Sequence, residues 1–190
     1  ELPGMRSSKE LELLAASRHQ QVFGQDAENW KIMTDLEVCA KSHVTCAINQ
    51  LLLSGLTEGS RKAGFQLMSI QPAFIAAQRQ WHKKIKNATG WFALLADDST
   101  AIGYRGAHGW AGIRVHPGTP DSMEELMLLL DRSRLYFCPD IESDTQQVWL
   151  CGGKLPPMSP APDSAWQFIV LPAAFFTQPD AFTSAEGVSG

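Results

Sequence analysis

The sequence lacks the short motifs that identify the most common enzyme classes. It contains no P-loop, no dinucleotide-binding fingerprint, no His-Glu-x-x-His and no Gly-x-Ser-x-Gly. This absence argues against several common enzyme classes without excluding catalysis. Long apolar runs are missing too, because the longest ones, such as residues 127–130, are far shorter than the roughly 20 residues that span a bilayer. We therefore expect no membrane insertion and predict no cofactor.

Cysteine is scarce, with four residues in a chain of 190. A chain of this length with 44% hydrophobic residues can bury a core without disulfides. Residues 1–20 show no cationic start followed by an apolar stretch, so no signal peptide is indicated. Four cysteines without secretory context are typical of reduced thiols, and we predict a cytoplasmic location.

Charge is unevenly distributed along the chain. Residues 121–190 carry ten acidic and three basic side chains, a local charge of −7, whereas the whole chain carries −4. A basic cluster consists of Arg79, Lys83, Lys84 and Lys86, and it could contact the phosphate backbone of a nucleic acid. On a helix, however, most of these residues lie off the apolar face, as on any solvated helix. We therefore expect another protein as the partner rather than nucleic acid, and the oligomeric state is left open.

Hydrophobic periodicity predicts a helical first half and a sheet in the second half. Helices are predicted at 8–23, after a Ser7–Glu10 capping box, and at 27–53 and 72–88. Short apolar segments joined by turn residues predict strands at 91–96, 101–105, 110–115, 135–138, 147–151 and 166–171, with a helix at 120–132.

The predicted fold class is α+β. Residues 1–90 form its helical half, which packs on a mainly antiparallel sheet of five or six strands in residues 91–182 with one crossover helix. We expect residues 1–182 to form a single domain and 183–190 to form a flexible tail.

Cysteine and histidine are concentrated at Cys39, His43 and Cys46. If the helix 27–53 is unbroken, these residues share one stripe and Cys46 is an inert buried thiol. If the chain breaks near His43 and Thr45 caps a new helix, Cys46 lies at a helix N-terminus. The helix dipole there would favour the nucleophilic thiolate.

A nucleophilic cysteine needs an imidazole as base and a group that orients it. His108 could supply the base and Asp140 the orienting carboxylate. A cysteine on an early helix, followed by His and Asp from a later antiparallel sheet, resembles the layout of papain-like cysteine hydrolases, although no Gln-to-Cys signature is present. This layout implies a hydrolase or transferase that acts on a peptide, amide or thioester.

Two further interpretations use the same residues. In the first, Cys39, His43 and Cys46 ligate zinc. The fourth ligand would be Cys138, Cys151 or His116. The spacing of these residues matches no familiar zinc module, so we expect no metal. In the other interpretation the thiols are ordinary core residues, as free cysteines usually are. Two function classes thus stay open: a Cys-His dependent hydrolase or transferase, and a non-catalytic interaction or adaptor subunit of a larger protein assembly.

Overall fold

A computed structural model describes eight stretches of the chain: residues 8–24, 27–34, 44–85, 89–107, 109–137, 146–153, 155–157 and 165–172. The chain divides into two compact units. The N-terminal unit comprises residues 1–73 with 108–110, and the C-terminal unit comprises residues 74–107 with 111–190.

The N-terminal unit is built from helices and a two-stranded antiparallel sheet. Its elements are α1 (Ser8–Phe23), a short 3-10 helix (Ala27–Asn29), β1 (Trp30–Thr34), β2 (Thr45–Asn49) and α2 (Gln50–Lys62). In the register of the two strands, Trp30 lies opposite Asn49 and Thr34 lies opposite Thr45. The predicted helix 8–23 is present with the same bounds.

The predicted helix 27–53 is wrong. Residues 30–34 form a strand whose side chains are alternately half-buried and exposed, which is the period of a strand rather than of a helix. The helix that follows starts only at Gln50, because Asn49 caps it. It includes Gly55 and Gly59. Glycine weakens a helix by about 1 kcal/mol without forbidding it.

The rest of the described chain consists of α3 (Ala73–Gln80), α4 (His82–Ile85), β3 (Gly90–Leu95), β4 (Ser99–Gly106), β5 (Gly109–Pro117), α5 (Met123–Phe137), β6 (Gln146–Gly152) and β7 (Trp166–Leu171). The predicted helix 72–88 is interrupted at Trp81. The predicted strand 135–138 is also wrong, because residues 135–137 are the end of α5. Buried Leu126, Leu130 and Ser133 keep the spacing of three and four residues that continues this helix.

Five strands form one mixed sheet in the order β5-β4-β3-β6-β7. β3 pairs antiparallel with β4, whereas β6 pairs parallel with β3 and β7 pairs parallel with β6. The predicted α+β class with five strands and one crossover helix is confirmed. The sheet is less antiparallel than predicted, because α5 carries the chain back so that β6 runs in the direction of β3.

The core of the C-terminal unit lies on both faces of this sheet. All six residues of β3 are buried, as expected of a central strand that is covered on each side. On one face, Trp91, Ala93 and Leu95 pack in one cluster with buried side chains of α5. On the other face, the Phe92 ring lies 5.2 Å from the Phe74 ring of α3 in an edge-on arrangement.

No helix among the described residues has both the length and the apolar character needed to cross a membrane.

Candidate protein-binding groove

The hairpin of β1 and β2 presents two different faces. Lys31 lies opposite Ile48, and Met33 lies opposite Cys46. Because alternate residues of a strand point to opposite sides, these four side chains share one side of the hairpin, which we call the front face. Its other side, the back face, carries Trp30 and is in contact with α1, where the His19 ring lies 5.2 Å from the Trp30 ring.

Helix α2 starts directly at the end of the hairpin and stops at a defined point. The side-chain oxygen of Asn49 accepts hydrogen bonds from the backbone N–H groups of Leu51 and Leu52, at 2.9 and 3.4 Å. At the other end, Gly64 has a φ of 76°, and the N–H of Phe65 donates to the carbonyl of Ser60 at 2.8 Å. A glycine in the left-handed conformation is a common way to end a helix. The chain then continues through residues 65–72 without regular secondary structure.

The front face, α2 and residues 67–72 enclose a groove of about 550 Å³. We call this space the groove. Its lining residues are Lys31, Met33, Cys46, Ala47, Ile48, Leu53, Thr57, Leu67, Ser69, Ile70, Gln71 and Pro72. Most of these side chains are apolar, and the volume lies in the range of sites that hold small molecules or side chains of a partner. All of them belong to the N-terminal unit.

Among the described residues that line the groove, Lys31 is the one with a charged side chain. It is exposed, and among the residues that the structure describes no carboxylate forms an ion pair with it. Within the described part of this unit, an ion pair lies elsewhere, between Lys62 and Glu58 on α2, with an N–O distance of 2.8 Å. The groove is therefore apolar with a single positive charge.

Apolar side chains of the N-terminal unit are exposed to an unusual degree. Within the described stretches of residues 8–73, His19 is the one side chain that counts as buried. Leu51, Met68 and Phe65 are 84%, 81% and 73% exposed. Helix α2 has no buried residue, although apolar side chains are concentrated on one side of its surface. Where exposed apolar side chains form a contiguous patch, that patch typically marks an interaction site.

A second, smaller cavity of about 370 Å³ lies between α1 and the back face of the hairpin. His19 lines it and is 8% exposed, with its ring 4.9 Å from the Phe23 ring. In the described regions of the chain, His19 Nδ1 has no hydrogen-bond partner. These aromatic contacts hold α1 against the hairpin from the back, which leaves the front face open.

Cys46, the predicted nucleophile, is located in strand β2 and lines the groove. Its side chain is half-buried. Cys46 therefore belongs neither to an unbroken helix 27–53 nor to a helix that Thr45 caps. Helix α2 begins at Gln50 with Asn49 as its cap, so the dipole argument based on a cap at Thr45 does not apply. His108, Asp140, Cys39 and His43 lie outside the described residues. The Cys46–His108–Asp140 site and the zinc site therefore stay predictions.

Two residues suggested as a fourth zinc ligand lie in the C-terminal unit. Cys151 is buried in β6, and burial raises the pKa of its thiol, an effect that the neighbouring indole of Trp81 partly opposes. His116 Nε2 lies 3.3 Å from the Ser133 hydroxyl oxygen. Burial lowers the pKa of His116, and the nearby charges of Arg114 and Arg132 lower it further.

Sequence reasoning missed the groove, although two signals for it were present. Asn49 has a side chain suited to cap a helix and is followed by three leucines within four residues, which indicates that a helix starts at Gln50. The stretch 65–72 contains four large apolar side chains, more than a solvated loop requires. Both signals concern segments that line or border the groove.

No family model matches this sequence, and no curated protein matches it. Among solved structures, the chain is similar to one from the PilM-PilN type IV pilus biogenesis complex, with 17% identity and a TM-score of 0.56 over 80% of this chain. A Bacteroides thetaiotaomicron protein with an actin-like ATPase fold and unknown function has 15% identity and a TM-score of 0.47 over 79% of this chain. This chain covers 57% and 54% of the two matched chains. At 17% identity, the first likeness concerns the fold.

Proposed function

We propose that this chain is a non-catalytic interaction module that binds another protein through the apolar surface of its N-terminal unit. The observation that carries the proposal is the exposure of apolar side chains in that unit. Burial of an exposed aliphatic or aromatic side chain contributes about 1.5–3 kcal/mol. A surface with Leu51, Phe65 and Met68 almost fully exposed can therefore gain substantial free energy when a partner covers it.

The shared fold supports a protein partner. The structure with a TM-score of 0.56 belongs to the PilM-PilN type IV pilus biogenesis complex, so a chain of similar fold works within a protein assembly. Among the residues that the structure describes, the groove is lined by one basic residue and no acidic one.

Site-specific photo-crosslinking tests this proposal. The chain offers a matched pair of positions, because Phe65 in the N-terminal unit and Tyr136 on α5 are both aromatic and both 73% exposed. We would replace each in turn with p-benzoylphenylalanine and irradiate the full chain in an extract of its source cells. We expect position 65 to give a discrete protein adduct that excess unlabelled chain suppresses, and position 136 to give none.

Equal adduct patterns at the two positions, or no adduct at position 65, would contradict the proposal. The adduct is identified by mass spectrometry, and the purified partner must then bind the full chain in a two-component assay. Thermal unfolding of both labelled chains must match that of the unmodified chain, so that a missing adduct cannot result from misfolding.

A further inference from the structure

We infer that the groove binds a segment of the partner protein that inserts aliphatic side chains and places one Asp or Glu carboxylate against Lys31. This inference rests on the proposed function and specifies the chemistry of its partner. Its structural basis is the combination of a groove of about 550 Å³ with one charged side chain at its wall.

The walls of the groove determine which side chains fit. Met33 and Ile48 on the hairpin face Leu53 on α2 and Leu67 on the segment after it. These are aliphatic or thioether side chains, and none of the described residues that line the groove is aromatic. Methionine adapts to irregular shapes, and apolar contact between such surfaces excludes water. Aliphatic side chains of a partner segment are therefore the expected anchors.

The charge of Lys31 determines what must lie beside those anchors. A partner that covers the groove removes part of the water around the exposed ammonium group, and an ammonium group that loses water without a counter-charge is destabilised. Within the described chain no carboxylate is paired with Lys31, and we assign the counter-charge to the partner. A carboxylate placed there would also select the register of the bound segment.

The same charge argues against a second copy of this chain as the occupant. In a symmetric dimer the same surface lies on both sides of the interface. A groove-to-groove dimer would bring Lys31 close to Lys31 of the second copy, and like charges at an interface are unfavourable. A different protein with an acidic amphipathic segment is the occupant that fits the groove.

A library of twelve-residue peptides displayed on phage, selected against the full chain, provides the test. We expect the enriched peptides to combine aliphatic residues with an Asp or Glu at a fixed position. Synthetic versions should slow alkylation of Cys46, which lines the groove, and should leave the buried Cys151 unaffected. Peptide mapping by mass spectrometry distinguishes the two thiols.

Charge variants make the test specific. Lys31→Gln should weaken binding about 2- to 5-fold, as for loss of an exposed ion pair, and Lys31→Glu should weaken it further by repulsion. The matched control is Lys83→Glu, an exposed lysine on α4 in the C-terminal unit, which should leave the affinity unchanged. Exchanging the acidic residue of the peptide for Lys should restore binding to the Lys31→Glu variant. Circular dichroism and thermal unfolding establish that each variant is folded.

The remaining outcomes overturn the inference in distinguishable ways. Peptides that bind without protecting Cys46, or that are indifferent to Lys31→Glu, would refute the assigned site and leave the proposed function standing. A concentration-dependent dimer that protects Cys46 would assign the groove to a second copy. Failure to enrich any peptide, together with no adduct at position 65, would refute the inference and the proposed function alike.

Discussion

The indole nitrogen of Trp91 donates a hydrogen bond of 2.7 Å to the side-chain oxygen of Gln146, and both side chains are buried. The two residues are 55 positions apart and lie at the starts of the parallel strands β3 and β6. Trp91 also packs edge-on against Trp166, with 5.8 Å between ring centroids, and Trp166 of β7 lies opposite Gln146. This contact set aligns the starts of three neighbouring strands.

We predict that Trp91→Phe destabilises the protein by about 1–3 kcal/mol, because it leaves the buried Gln146 side chain without its donor. Gln146→Leu should have a similar effect, since the indole N–H then lacks an acceptor. The double variant should lose less free energy of unfolding than the sum of the two single variants. Urea unfolding of the four proteins measures the coupling, and strict additivity would show that the hydrogen bond has no net effect.

Gly112 on β5 lies directly against the ring of Phe137 at the end of α5, where a Cβ atom would overlap the ring. We predict that Gly112→Ala lowers the free energy of unfolding by about 1–3 kcal/mol, because a well-packed site does not accept an added methyl group. Phe137→Leu in the same chain should recover some of this loss. Denaturant unfolding provides the measurement, and a neutral Gly112→Ala variant would disprove the tight packing.

Gly59 differs from Gly112, because its replacement by alanine should be stabilising. It lies inside α2, and a Cβ atom there would meet no other atom within 4 Å. We predict that Gly59→Ala stabilises α2 by up to about 1 kcal/mol, because alanine has the higher helix propensity. Hydrogen exchange of the α2 amides, which reports on this helix separately from the C-terminal unit, should slow. Unchanged or faster exchange would indicate that α2 is held by contacts that the added methyl group disturbs.

His116 should make stability sensitive to acid. Burial and the charges of Arg114 and Arg132 lower its folded-state pKa below the ordinary value of 6.5. The unfolded chain therefore binds the proton more readily than the folded chain does. The contribution of neutral His116 to the free energy of unfolding is fully present above pH 6.5 and is lost as the pH falls through the folded-state pKa. The effect is small because the ring is only partly buried. His116→Gln should flatten the fall in unfolding temperature between about pH 7 and 5, whereas His82→Gln, the control, should not.

Cys46 should react with iodoacetamide at neutral pH faster than Cys151. The first thiol lines the groove, whereas the second is buried and its pKa is raised by that burial. Mass spectrometry of time points, with peptide mapping, gives both rates. The hydrolase hypothesis makes a stronger prediction, namely fast alkylation of Cys46 at pH 6 that His108→Ala abolishes. An ordinary rate at pH 6, unchanged by that substitution, would refute it.

The sequence predicted the sheet better than it predicted the site. The strands of the C-terminal unit are short apolar runs separated by turn residues, and β7 has the predicted bounds, Trp166–Leu171. Parallel pairing of β3 with β6 was not predicted, because partners far apart in sequence leave no local pattern. The end of α5 was misassigned since residues 135–137 include good strand formers.

In the N-terminal unit, residues 30–51 contain apolar side chains at spacings that fit a helix as well as two short strands. The alternation in β1 covers only five residues, too few to outweigh the longer helical pattern. Lys31 was not singled out as a site residue because a lone lysine carries no motif. Its proposed role depends on the hairpin, α2 and residues 67–72 meeting around one space, which no single segment encodes.

The hairpin makes the two sides of the N-terminal unit interdependent. A one-residue deletion within β1 would shift its register and exchange its faces, so that Lys31 would turn towards α1 and Trp30 away from it. The aromatic contacts with His19 and the composition of the groove would then be lost together. We expect these strands to tolerate substitutions that preserve alternation, and under the proposed function the front face can then change its partner specificity without disturbing the attachment of α1.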